Sequence, residues 1–135
     1  MDLSDFQNVV KRFKVYSVFV EALAAAAQIT KGVNVLVGSP FILTHIEAFS
    51  YANATRTTFA PCNISVTDST GSWQFMDREL PIELLSPTAK TQLQFIAHEM
   101  TAKATISVNV ISKYSAALDC YVALWGFHAL AGARV

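Results

Sequence analysis

Leu118-Asp-Cys-Tyr-Val-Ala-Leu-Trp-Gly-Phe-His128 decides how the rest of this chain is read. The segment alternates, is almost uncharged and stops close to the C-terminus, with no helical pattern after it. A strand this apolar has to be buried against a second sheet or another subunit. The stretch alone leaves open which of its sides is inward. Cys120, Val122 and Leu124 form one candidate face, and Tyr121, Ala123 and Trp125 the other.

Upstream the same signal recurs. Phe13-Lys-Val-Tyr-Ser-Val-Phe-Val-Glu21 is rich in aromatic and β-branched residues, which favour strands. Val33–Val37, Phe41–Ser50, Phe59–Thr67, Trp73–Met76, Leu93–Ile96 and Ala104–Ile111 read as further strands. In the second of these, Phe41, Leu43, His45, Glu47 and Phe49 share one face. Ile64 and Val66 share a face, and Ile106, Val108 and Val110 point inward. Asp68-Ser-Thr-Gly71 is a hairpin turn. Pro81 and Pro87 bracket Ile82–Leu85, a stretch that packs but pairs poorly.

Ala22–Gln28 sets propensity against context. Alanine is the best helix former, yet the run holds only about two turns, so it is read as a loop or extended connection. Residues 1–12 read as an N-terminal arm or short helix: Ser4 and Gln7 have capping-box spacing, and Phe6, Val9, Val10 and Phe13 recur at helical intervals. Residues 13–135 form the domain. The expected fold is an all-β, eight-stranded antiparallel sandwich, jelly-roll-like.

Composition points away from several functions. Hydrophobic residues make up 53% of the 135 and charged residues 15%, so much of the surface must be apolar or neutral-polar. Ten basic residues balance ten acidic ones. That balance offers no counterion-release drive toward nucleic acid and little colloidal repulsion. No stretch approaches about 18 apolar residues, so no membrane partner is expected, and Met1-Asp-Leu-Ser-Asp5 does not read as a signal peptide. Cys62 and Cys120 lie in apolar strand patterns and read as buried thiols. Asn53-Ala-Thr55 and Asn63-Ile-Ser65 match the glycosylation sequon by chance if no leader directs export.

His45-Ile-Glu47 followed by Pro61-Cys62 partly matches the zinc deaminase pattern, but Ser65 stands where the last cysteine would be. His45, His98 and His128 lack the spacing of a metal site, and there is no nucleophile elbow or phosphate loop. The expectation is therefore no enzyme, no cofactor and no metal. The aromatics serve mainly the core, and the remainder serve as interface anchors.

Three stretches together have a familiar layout: Tyr16 to Ile46, Asn63 to Ile82 with its Thr-Asp-Ser-Thr-Gly hairpin, and Ala104 to His128. They resemble small jelly-roll-like virion structural proteins of tailed phages. The resemblance covers about residues 13–130, and the alanine run departs from it. It implies a capsid cement or decoration protein on the capsid exterior, made in the host cytoplasm. The implied partners are the major capsid protein and further copies of the chain, as a dimer or trimer. A tail, connector or fibre-base component is the alternative, followed by a carbohydrate-binding β-sandwich. Phe6, Val9, Val10, Phe13, Tyr121, Trp125 and Phe127 are the expected contact residues.

Overall fold

The computed structural model describes residues 9–35, 40–68, 73–74, 79–85, 98–101 and 104–134. Nine strands lie in these segments: β1 (Val9–Leu23), β2 (Gln28–Asn34), β3 (Phe41–Ala52), β4 (Cys62–Asp68), β5 (Trp73–Gln74), β6 (Leu80–Pro81), β7 (His98–Met100), β8 (Thr105–Ser112) and β9 (Leu118–Arg134). They build two antiparallel sheets, one in the order β1-β9-β3-β7 and the other β2-β8-β4-β5, with β6 also paired to β4. From β1 to β4 the chain changes sheet at every step, β4 and β5 stay together, and β7, β8 and β9 alternate again. This is the jelly-roll order, so the all-β sandwich expectation holds.

The inner faces are made as the alternation requires. Val18 and Val20 of β1, Ile46 and Ala48 of β3, and Val122 and Leu124 of β9 face Ile64, Val66, Ile106, Val108 and Val110 of the second sheet, all buried. Burying one such Val, Leu or Ile contributes about 1.5–3 kcal/mol. For β9 the open question is settled: Cys120, Val122 and Leu124 are core, and Tyr121, Ala123 and Trp125 face outward.

β1 and β9 are longer than the alternating cores that announced them. β1 begins at Val9, so residues 9–12 are extended rather than helical and the arm boundary at 12/13 falls inside a strand. Val9 and Val10 are β-branched, and pairing with β9 overrides the helical spacing. β9 continues past His128 to Arg134 along the same partner. Phe6, the turn residues 69–71 and the expected strand Leu93–Ile96 lie outside the described residues. The hairpin itself is present, since Asp68 pairs with Trp73.

β2 occupies Gln28–Asn34, beginning ahead of the expected Val33–Val37, of which residues 36 and 37 lie outside the described residues. Ile29-Thr-Lys-Gly32 is thus strand, held in register by Val110, Asn109, Val108 and Ser107 of β8. Of the run Ala22–Gln28, Ala22 and Leu23 end β1, residues 24–27 form the connection, and Gln28 begins β2, so none of it is helical. Ala22 and Ala26 have positive φ (53° and 57°), and the Ala27 N–H donates to Ala24 O at 3.1 Å. Ile82–Leu85 forms a short 3₁₀ turn that buries Ile82 and Leu85.

Candidate interaction face

The outward sides of β1, β9 and β3 line up in four cross-strand rows. Reading across, they are Phe13–Phe127–Ile42, Val15–Trp125–His45, Ser17–Ala123–Glu47 and Phe19–Tyr121–Phe49. Two rows rich in large apolar groups therefore lie on one side of a small polar row, and an aromatic row lies on the other. The register that creates them depends on a bulge. β3 skips Thr44 between Leu43 and His45, while β9 advances only from Gly126 to Trp125. Phe41 and Leu43 consequently face the core together with Ile46 and Ala48, and the expected single face from Phe41 to Phe49 is broken.

Within the aromatic row, Tyr121 is sandwiched. Its ring stacks on Phe19 at 4.3 Å and 21°, and on Phe49 at 5.0 Å and 20°. Its hydroxyl also accepts a hydrogen bond from Tyr51 at 3.1 Å. That bond, followed by partial desolvation, raises the Tyr51 pKa above the ordinary phenol value. Because neighbouring rings cover one another's faces, the row offers solvent mainly ring edges. Phe49 (49%) and Trp125 (45%) remain well exposed nonetheless, and Phe13 is 82% exposed.

Two hollows accompany the rows. One of about 210 Å³ lies over Ala123, walled by Ser17, Glu47, Phe49 and Tyr121. Another of about 340 Å³ is bounded by Phe13, Val15, Thr44 and Trp125. His45 Nε2 and Glu47 Oε1 meet at 2.9 Å on this face, as their spacing along the strand implied.

The structure sorts the expected contact residues. Phe13 and Trp125 are exposed, and Tyr121 is half-buried within its stack. Phe127 is a correction. It is only 2% exposed, packed with Ile42 and edge-on to Phe13 at 6.3 Å, so it is covered despite its outward parity. Val15, Phe19, Phe49 and Tyr51 were not among the expected contacts. Their outward parity was readable, but their alignment with Tyr121 and Trp125 depends on inter-strand register, which alternation within one strand does not give.

The other outer face is chemically different. On the second sheet Thr30 and Gln28 donate to Asn109 Oδ1 at 3.0 and 3.2 Å, and Thr105 donates to Asn34 Oδ1 at 3.0 Å. Asn63, Ser65, Thr67 and Ser107 continue this uncharged polar surface. The sandwich thus has one aromatic exterior and one amide-hydroxyl exterior.

The remaining reactive side chains are placed apart from the face. His98 Nε2 lies 3.2 Å from Asp68 Oδ2, joining the two sheets. His128 Nε2 meets the Tyr16 hydroxyl at 2.8 Å inside the fold. Among the described residues no group of three or more His, Cys, Asp or Glu is placed to hold a metal ion. Cys62 and Cys120 are buried and free. The neighbouring Cys62 side chain, together with burial, pushes the Cys120 pKa up. Among the described residues no helix is long and apolar enough to cross a membrane.

Comparison of the chain with protein-family models and with curated proteins gives no match. Among solved structures it is similar to the crystal structure of a protein from Sulfurospirillum deleyianum, with 7% identity and a TM-score of 0.36 over 82% of this chain and 97% of that one.

Proposed function

We propose that this protein is a non-enzymatic structural component of a virion, a cement or decoration protein that binds the assembled capsid shell and stabilises it. The observation that carries the reading is the aromatic exterior of the first sheet, where Phe13, Phe19, Phe49 and Trp125 are exposed in register around one small row. Large aligned apolar surface of this kind marks a contact with another macromolecule. The zero formal charge favours residence in an assembly over life as a free solute. A ligand that binds the shell but not its free subunits stabilises the shell by linkage.

A carbohydrate platform fits the face less well. Sugars stack on open ring faces, and here both faces of Tyr121 are occupied by Phe19 and Phe49.

The test uses shells assembled without this chain. Adding the purified protein is expected to give uptake in fixed ratio to the major capsid protein and greater resistance to heat. The Phe49→Glu, Trp125→Glu variant is expected to fold and to restore nothing. Equal resistance with and without the protein overturns the reading. A few copies per particle, in place of a fixed ratio, would assign it to the tail or connector instead.

A further inference from the structure

We infer that a second copy of this chain pairs with the free edge of β1, antiparallel and centred on Tyr16, joining two first sheets into one continuous sheet. Among the described residues β1 is the outermost strand of its sheet, 15 residues long, and β9 is its ladder partner on the other side. Such an edge exposes backbone donors and acceptors that recruit another strand unless something blocks them.

Three hydrogen bonds identify which residues carry those free groups. Trp125 O accepts from the Thr44 hydroxyl at 3.2 Å, and Ala117 O accepts from Asn53 N–H at 3.0 Å, both on the β3 side of β9. In an antiparallel ladder successive residues turn their backbone groups alternately to the two neighbours. Even-numbered residues of β9 therefore serve β1, and their register partners are Tyr16, Val18 and Val20. The odd-numbered residues Phe13, Val15, Ser17 and Phe19 turn their N–H and C=O groups outward. The third bond agrees: Phe19 O is open to the side and accepts from Lys31 Nζ at 3.0 Å.

The occupant follows from the self-complementarity of this edge. Pairing about Tyr16 sets Phe13 opposite Phe19 of the second copy and Val15 opposite Ser17. It sets position 11, a lysine, opposite Glu21, and the two-fold axis repeats each pair. Phe13, left 82% exposed in one chain, gains an aromatic neighbour. Phe19 O has two lone pairs, so it can accept a strand N–H while Lys31 stays bound. The contact runs along the β1 border of the shell-binding face, shares Phe13 and Phe19 with it, and extends that face across both copies.

The experiment is sedimentation of the full-length protein with three variants. Wild type is expected to dimerise at roughly 100 µM or below. Val15→Pro removes an outward N–H that makes no bond to β9, so it should keep the thermal midpoint and far-ultraviolet spectrum while weakening the dimer about tenfold or more. Lys11→Glu should weaken it, and Lys11→Glu with Glu21→Lys should restore it. Phe49→Glu, on the shell-binding face and remote from the edge, should leave the dimer intact. A wild type that stays monomeric at that concentration overturns the proposal. So does a folded Val15→Pro variant that dimerises as well as wild type, or a dimer lost in Phe49→Glu but kept in Val15→Pro.

Discussion

Gly126 presses against the backbone of Ile42 so closely that a Cβ built on it would stand 2.0 Å from the Ile42 carbonyl oxygen and 2.7 Å from the Phe41 ring. This contact sits beside the Thr44 bulge, where the ladder between β3 and β9 shifts by one residue. The absence of a side chain is what lets the two strands meet while Phe41 fills the space below. Gly126→Ala must displace backbone, not the end of a flexible chain. The expected loss is about 3 kcal/mol or more, at the upper end of overpacking effects, read from urea unfolding. Because the shift sets the rows of the aromatic face, Trp125 fluorescence in the folded variant should change as well.

Asp119 ties two corners of the sandwich together. Its buried Oδ1 accepts from the Ala22 N–H and from Asn53 Nδ2, both at 2.9 Å. Ala22 is the next-to-last residue of β1 and Asn53 follows β3, so one carboxylate orders the chain where it leaves the first sheet at both points. Asp119→Ala should cost about 3 kcal/mol, since two charge-assisted bonds are lost and their donors are left behind. Asp119→Asn keeps an acceptor in place and should cost about 1 kcal/mol. Denaturant midpoints of the two variants check the order.

These two residues also show what the sequence could and could not disclose. Alternation within β4, β8 and β9 announced their strands, and Ile106, Val108 and Val110 point inward as read. The alternation in Phe41–Phe49 continues unbroken through Thr44, so nothing local marks the bulge. The single sign is Gly126, on a different strand and far away in the chain. β7 is three residues with no apolar alternation, and it exists only because β3 offers it an edge. Trp125 and Tyr121 were legible as outward candidates because a strand must have an outer side. Phe127 shares that parity and is nevertheless covered, and Phe19 and Phe49 become part of the face only through register.

Ala26 holds φ at 57° in the connection between β1 and β2, in an exposed position. An L-residue there is strained by about 1–2 kcal/mol relative to right-handed conformations, whereas glycine is not. Part of that relief is offset by the greater freedom of glycine in the unfolded chain. Ala26→Gly is therefore expected to stabilise the protein by about 0.5–1 kcal/mol, seen as a higher denaturant midpoint with an unchanged slope. A helical connection would respond in the opposite sense, because glycine weakens helices.

Cys62 and Cys120 face each other between the two sheets, both buried. The neighbouring Cys62 and then burial raise the Cys120 pKa above the ordinary thiol value, while the neighbouring Cys120 lowers that of Cys62. The two shifts act in opposite senses on stability: the Cys120 contribution is fully present below about pH 8.5, the ordinary thiol pKa, and falls toward the raised folded value, whereas the Cys62 contribution is present above the ordinary thiol pKa and is lost as the pH falls through the lowered folded value. In the native protein at neutral pH a thiol reagent should label neither cysteine. Labelling should appear with the unfolding transition in urea, because the thiolate is the reactive form and both sulfurs are shut away from solvent. Rapid labelling of the folded protein would contradict the buried arrangement.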